Sequence, residues 1–239
     1  MDKKKAKYNR VLLKLSGEFL AGEKGSGINL ETVNEIVDNV IKLHDLGVEV
    51  AVVVGGGNFW RGAQNSDVER STSDQIGMLA TCMNALYFSD VIRAHGQASK
   101  VLSAVGIEHV LEAFNQKKAL KYLEEDNILV FAAGTGHPYF STDSGAALRA
   151  AEIHADIIFK GTNVDGVYDK DPNKYDDAKL IKDLSHEDIL KNGLNVMDMT
   201  AAALCKDNNI PIAVFNLKEP ENMLSLACGD LDKATFVHS

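Results

Sequence analysis

The sequence predicts an α/β fold, a three-layer sandwich in which a central, mainly parallel sheet lies between helices. Two observations predict it. Short, continuous runs of β-branched and apolar residues, such as Val48–Val54, suit strands covered on both faces. These runs alternate with longer segments of helical period, the βαβα order that builds a parallel sheet through right-handed crossovers. A third observation locates the chemistry: the glycine-rich and hydroxyl-rich loops each follow a predicted strand, and such sheets hold their ligands at the carboxyl ends of strands.

The elements follow in order. Arg10–Leu15 is a short apolar run with Lys14 near its end, and the turn Ser16-Gly17-Glu18 exposes Lys14 at the end of a first strand. From Leu30, apolar residues recur at Val33, Ile36, Val37, Val40 and Ile41 and stop at Gly47, the pattern of an amphipathic helix closed by glycine. Val48–Val54 is the second strand. Asp74–Arg93 is a long helical pattern with Ile76, Leu79, Ala80, Met83, Leu86 and Tyr87 on one face. Lys100–Ser103 and Ile128–Ala132 are buried strands, Asp143–Glu152 is an alanine-rich helix, and Asp156–Lys160 is another strand. Met197–Asn208 forms a helix and Ile212–Asn216 the last clear strand, while the polar run Asp169–Lys182 is a loop within the domain.

At 239 residues and 45% hydrophobic content, the chain supports one domain over 1–239, with residues 1–8 as a flexible tail. A net charge of -9 argues against a nucleic-acid partner, which would require a basic face. The segment Met1 to Lys7 carries four lysines but no apolar core of a signal peptide. No apolar stretch approaches the ~18 residues of a membrane span. The three cysteines, Cys82, Cys205 and Cys228, are widely spaced and suggest neither a disulfide framework nor a zinc site. A cytoplasmic location is expected.

The segment Val50 to Gly62 runs from a buried strand into Gly55, Gly56 and Gly57 and then Arg61, which makes a phosphate site of a sheet edge. A plain tight turn is the competing interpretation. The dinucleotide fingerprint fails at Trp60, and the P-loop fails because Glu23 stands where lysine is required after Gly17 and Gly22. A calcium loop from Asp169 fails at Lys174 and Leu180, and Ser16 lacks a nucleophile elbow. The loop from Gly134 ends in Ser141, Thr142 and Asp143 before the alanine-rich run, where these side chains cap a helix whose first amides also attract an anion. A lysine, an arginine, glycine amides, a helix N-terminus and Mg²⁺ suffice for phosphoryl transfer, which needs positioning and charge neutralisation more than covalent chemistry.

Six motifs in order, Leu13–Glu18, Gly55–Gly62, Asp74–Thr81, Gly134–Asp143, Thr162–Tyr168 and Val196–Asp198, resemble the bacterial uridylate (UMP) kinases of the amino acid kinase superfamily, from about Arg10 to Val237. The resemblance implies an ATP:UMP phosphotransferase of pyrimidine nucleotide biosynthesis that gives UDP and ADP. It assigns Lys14, Leu15, Ser16, Gly17, Gly57 and Arg61 to the ATP phosphates, and Thr162, Asn163, Tyr168 and Asp171 to the nucleoside end of ATP. Gly56, Asp74, Thr135, Gly136, His137, Pro138, Tyr139, Phe140, Ser141 and Thr142 become the UMP site. A carboxylate repels phosphate and accepts from hydroxyls, so Asp74 is read as a ribose contact. Asp198 resembles the aspartate that orients the active-site lysine, and it is also a helix N-cap candidate. Asp143 organises polar groups or Mg²⁺, the metal being held mainly by phosphates. Gly22, Glu23, Lys24, Gly25, Ser26 and Gly27 fall where the family has a GTP-activation segment; UTP is the expected inhibitor. A homohexamer is implied, with the Asp74–Arg93 helix as an interface element. Two alternatives stand beside this reading: a kinase of the same superfamily with a carboxylate or carbamate acceptor, and a non-catalytic nucleotide sensor or storage protein.

Overall fold

A computed structural model describes residues 5–61, 67–194 and 196–239. Gly62, the last residue of the predicted glycine loop, and residues 1–4 of the expected tail lie outside the described residues. Within that expected tail, the Lys7 amide donates to the Ala227 carbonyl at 2.7 Å, and the buried Tyr8 ring meets Phe159 edge-on.

The first half of the chain forms β1 (Arg10–Leu15), α1 (Gly17–Ala21), α2 (Leu30–Asp45), β2 (Glu49–Val54), α3 (Arg70–Ala94), β3 (Ser99–Ser103), β4 (Glu112–Ala113), α4 (Gln116–Glu124), β5 (Ile128–Ala132) and α5 (Thr142–Glu152). The second half forms β6 (Ile157–Thr162), β7 (Val167–Tyr168), β8 (Leu180–Ile181), β9 (Asp183–Ser185), α6 (His186–Asn192), α7 (Met199–Asp207), β10 (Ile212–Asn216), α8 (Asn222–Ala227) and β11 (Ala234–His238). Among the described residues, nine strands make one sheet in the order β4-β3-β5-β2-β1-β6-β10-β11-β9. Every pairing in it is parallel except β10 with β11. The chain therefore starts in the middle of the sheet, builds outward to one side, and returns to the other side of β1 through β6.

Alternation along the strands divides the core into two layers. Val11, Leu13 and Leu15 of β1 and Val50, Val52 and Val54 of β2 pack with α2, α3 and α8. Leu12, Ala51 and Val53 face α4, α5, α6 and α7. Leu12 and Leu13 are fully buried on opposite faces, and each such leucine contributes about 1.5–3 kcal/mol. An aspartate at either position would place an unpaired charge between sheet and helix.

Caps set the helix boundaries. α3 begins at Arg70, earlier than the expected Asp74, because the Glu69 carboxylate accepts from the Thr72 amide at 3.1 Å. Ser141 alone caps α5, taking the Asp143 and Ser144 amides, so Thr142 and Asp143 lie inside the helix rather than capping it as expected. Ile212–Asn216 is followed by a further strand, β11, and the polar run from Asp169 is the loop of the small β7–β8 hairpin together with β8 itself. Among the described residues, no helix is long and apolar enough to cross a membrane.

Candidate active site

Side-chain parity decides where the cations go. Lys14 has the parity of Leu12 and Lys160 that of Ile158, so both lysines leave the sheet toward the layer that contains α5 and α7. Their α-carbons are register partners on the adjacent parallel strands β1 and β6. Asp143, in the first turn of α5, fits between them: Lys14 Nζ lies 2.6 Å from Oδ1 and Lys160 Nζ 2.7 Å from Oδ2. Lys160 also donates to the Val196 carbonyl.

Burial opposes the charge on Asp143, but the two ammonium groups outweigh it and hold its carboxyl below the ordinary aspartate value. Burial pushes the Lys160 ammonium down, Asp143 works against that shift, and the neighbouring Lys14 charge adds to it. The result is a pair of cations fixed at the ends of two central strands, beside the amides of a helix N-terminus. Asp198, which resemblance assigns to orienting the lysine, accepts from the hydroxyls of Ser141 and Ser144 and caps α7 through the Ala201 amide at 2.9 Å, and its charge favours the Lys160 ammonium without a direct bond to it. It thereby joins α7 to the start of α5, and the carboxylate in contact with the lysines is Asp143. Cys205 sits behind this cluster, its thiol pushed up to about 12 by burial and by Asp143 and Asp198, which makes it no nucleophile.

The glycine loop closes against β1. A β-carbon at Gly17 would stand 2.5 Å from the Gly55 carbonyl and 2.7 Å from the Gly57 nitrogen, and one at Gly56 would stand 2.7 Å from the Gly77 carbonyl on α3. Only glycines permit this approach. Arg61 carries its guanidinium to Glu18 at 3.1 Å and its Nε to the Gly57 carbonyl at 3.3 Å.

Two cavities adjoin the lysine cluster. The larger, of about 680 Å³, is lined by Lys14, Ser16, Lys160, Thr162 and Asn163, together with Phe19, Ile36 and Leu217. The smaller, of about 280 Å³, is lined by Gly56, Gly57, Asp74, Thr135, His137, Phe140, Ser141 and Thr142, together with Trp60, Met78 and Thr81. Thr142 lines the smaller cavity while its neighbour Asp143 holds Lys14 and Lys160 of the larger, so the first turn of α5 links the wall of one cavity to the cations of the other.

Of the residues assigned by resemblance to ATP and UMP, twelve of twenty line these cavities; Gly17 and Arg61 line neither, and Gly57, assigned to the ATP phosphates, lines the smaller one. Leu15 is core, and its carbonyl accepts from the Gly55 amide at 2.9 Å. Gly136, Pro138 and Tyr139 line neither cavity, although the Tyr139 amide donates to Asp74 at 2.8 Å. Tyr168 hydrogen-bonds Asp165 in the hairpin, and Asp171 closes a turn on the Asn173 amide at 3.0 Å. Gly22 and Glu23 line the larger cavity itself, and Gly27 is bound to Asn58.

Sequence reasoning gave no role to Lys160, Trp60 or Thr81. The signal for Lys160 was a lysine ending an apolar strand, as Lys14 does. Trp60 reaches its place by donating Nε1 to the Ser73 hydroxyl at 2.9 Å, and Thr81 accepts from the Ala133 amide at 2.7 Å. Among the described residues, no group of three or more His, Cys, Asp or Glu could hold a metal ion, and both oxygens of Asp143 face ammonium groups. This donor set suits a divalent cation carried by a ligand's phosphates.

The amino acid kinase family model matches residues 9–216. Among solved structures, a UMP kinase from Bacillus anthracis superposes with a TM-score of 0.92 at 33% identity, covering 97% of this chain and 96% of that one. A UMP kinase from Ureaplasma parvum gives a TM-score of 0.91 at 35% identity, covering 97% and 99%. A uridylate kinase from Archaeoglobus fulgidus gives 0.72 at 26% identity, covering 95% and 99%.

Proposed function

The chain belongs to the amino acid kinase family, and from that premise we propose that it transfers the γ-phosphoryl group of MgATP to UMP, giving ADP and UDP. The observation that carries this reading is the pair of cavities linked by the first turn of α5, where Thr142 lines the smaller and Asp143 holds Lys14 and Lys160 of the larger. ATP takes the larger cavity, its phosphates directed toward Lys14, Lys160, Ser16 and the glycine loop. UMP takes the smaller, with Asp74 available to its ribose hydroxyls and Gly56 and Thr142 toward its phosphate.

The transferred group then lies between two fixed ammonium ions, which gain most where charge develops on its oxygens in flight. Asp143 keeps the two cations at one spacing and spares them mutual repulsion in the free enzyme. Arg61 adds a planar fork after leaving Glu18 for phosphate. Magnesium, bound with ATP, supplies further neutralisation of the phosphate oxygens. No protein group need act as nucleophile or general base, since the attacking group is a UMP phosphate oxygen, already ionised at neutral pH, and the bond from the γ-phosphorus to ADP breaks as the new one forms.

The same reading makes residues 1–239 one domain of a cytoplasmic homohexamer that GTP activates through residues 22–27 and UTP inhibits. Leu79 and Met83, exposed on α3 at 53% and 49%, support an interface there. The position of Gly22 and Glu23 on the donor cavity supports a direct route from that segment to ATP.

The test is a coupled assay of ADP release from MgATP with UMP, CMP, acetylglutamate, carbamate or no acceptor. Release that depends on UMP is expected. Release with another acceptor keeps the donor site and overturns the acceptor, and binding of ATP without any release favours a nucleotide sensor.

A further inference from the structure

Two asparagines that line neither cavity are paired directly behind the glycine loop. Asn84, on the inner face of α3, is fully buried, and Asn58, which follows the three glycines, is 3% exposed. Their side-chain amides meet reciprocally: Asn84 Nδ2 donates to Asn58 Oδ1 at 2.7 Å, and Asn58 Nδ2 donates to Asn84 Oδ1 at 3.0 Å. The remaining amide hydrogens go to backbone, from Asn84 to the Gly55 carbonyl at 2.7 Å and from Asn58 to the Gly27 carbonyl at 2.7 Å. The Gly27 amide returns a bond to the Asn58 carbonyl at 3.0 Å.

All four side-chain amide hydrogens are therefore used, in a place where apolar side chains would otherwise pack. A fully satisfied buried network of this kind specifies one arrangement of the segments it joins, and half of it is worse than none. The segments here are α3, the glycine loop and the turn that ends at Gly27. The carbonyl held by Asn84 is the one against which Gly17 packs without room for a β-carbon, so a displacement of Gly55 is felt at once by Gly17 and Gly57.

We propose that Asn84, through its pair with Asn58, is a positioning residue that sets the Gly55–Gly57 loop for phosphoryl transfer and fastens the turn at Gly27 to that loop. The proposal rests on the kinase reading for its catalytic half only. Neither asparagine lines a cavity. Their effect is on alignment, and misalignment of about 1 Å costs on the order of 100-fold in rate without a matching loss of binding.

The test uses the full chain. Asn84→Asp is isosteric but turns the Nδ2 donor into an oxygen that faces the Gly55 carbonyl and Asn58 Oδ1. The expected result is a fall in kcat of at least about 10-fold, with KM for ATP and for UMP within about 3-fold of wild type. Hydrogen exchange over residues 25–29 should rise in the same variant, although Asn84 makes no bond to that segment. Asn58→Ala, Asn84→Ala and the double variant supply the second arm: because the amides act as one unit, the double variant should lose about as much kcat as the more damaged single variant.

Unchanged kcat in a folded Asn84→Asp enzyme, or additive losses in the alanine series, would overturn the positioning role. Unchanged exchange at 25–29 would overturn the fastening. If the wild-type chain shows no turnover with UMP, the kinase reading fails instead, and the exchange measurement still decides the link to Gly27.

Discussion

Replacing Lys160 with methionine separates catalysis from stability more sharply than any other single change at the site. Lys160 Nζ stands 2.7 Å from Asp143 Oδ2, a gross attraction of about 6 kcal/mol at an effective dielectric constant of ~20. Desolvation of a buried ion costs several kcal/mol and offsets most of that sum. Methionine fills a similar volume without the cost, and Asp143 keeps Lys14 at 2.6 Å, so no carboxylate is left uncompensated. The loss of stability should therefore stay well under the ~3–5 kcal/mol typical of a broken buried pair. The loss in turnover should not be small. One of two cations at the transferred group is gone, and removal of a preorganised electrostatic group typically costs about 100- to 1,000-fold in kcat, or ~2.7–4 kcal/mol. Urea unfolding and steady-state kinetics with MgATP and UMP measure the two quantities on one preparation. A variant with kcat within about 3-fold of wild type would refute the assignment of Lys160 to the transfer step, whatever its stability.

Arg61→Ala should lower kcat by at least ~100-fold, and near-normal turnover would remove the guanidinium from the mechanism. Thr81→Val deletes the hydroxyl that accepts from the Ala133 amide at 2.7 Å and donates to the Met78 carbonyl at 2.6 Å. It should cost about 1–3 kcal/mol for the unpaired buried amide and raise KM for UMP, while Thr81→Ser restores both; equal KM values in the valine and wild-type enzymes would count against it. Acid should weaken the fold through Asp143: its folded-state pKa lies below the ordinary 3.8, so its contribution is complete above that value and is lost as pH falls through the lower folded value. Urea midpoints followed downward in pH should show this loss in the wild type and a flatter profile in Asp143→Asn.

The strands that flank β1 were legible because both their faces are buried, which leaves a continuous apolar run with no competing pattern. The elements that escaped notice lack that signature. In α4 only Ala119 and Leu123 are buried, too few for a visible period, and α6 is held by the reciprocal cap of Ser185 and Asp188 rather than by an apolar stripe. β11 runs antiparallel to β10 and is only five residues long, with Ala234 and Thr235 both buried before any alternation starts. At the site, Lys14, the glycines and Arg61 announced themselves by residue type. The choice between Asp143 and Asp198 could not be read in the same way, since both stand at the starts of helices that pack together, and only the packing decides which one turns to the lysines. Lys160 and Asn84 were hidden for a related reason: their partners are fixed by strand register and by the face of a long helix, neither of which is written locally.

The outward-and-back path of the chain from β1 has a consequence for how such proteins diversify. Every described residue lining the smaller cavity falls between 56 and 142, in the outward half, whereas the larger cavity draws on residues 14–36 and 160–218 from both sides of it. On the proposed reading, acceptor choice is confined to an internal cassette, inserted between two portions that together form the donor cavity. Mutation within that cassette should change the molecule that is phosphorylated while the power supply stays wired as before, and a cassette grafted from a relative between α2 and β6 should bring its own acceptor with it.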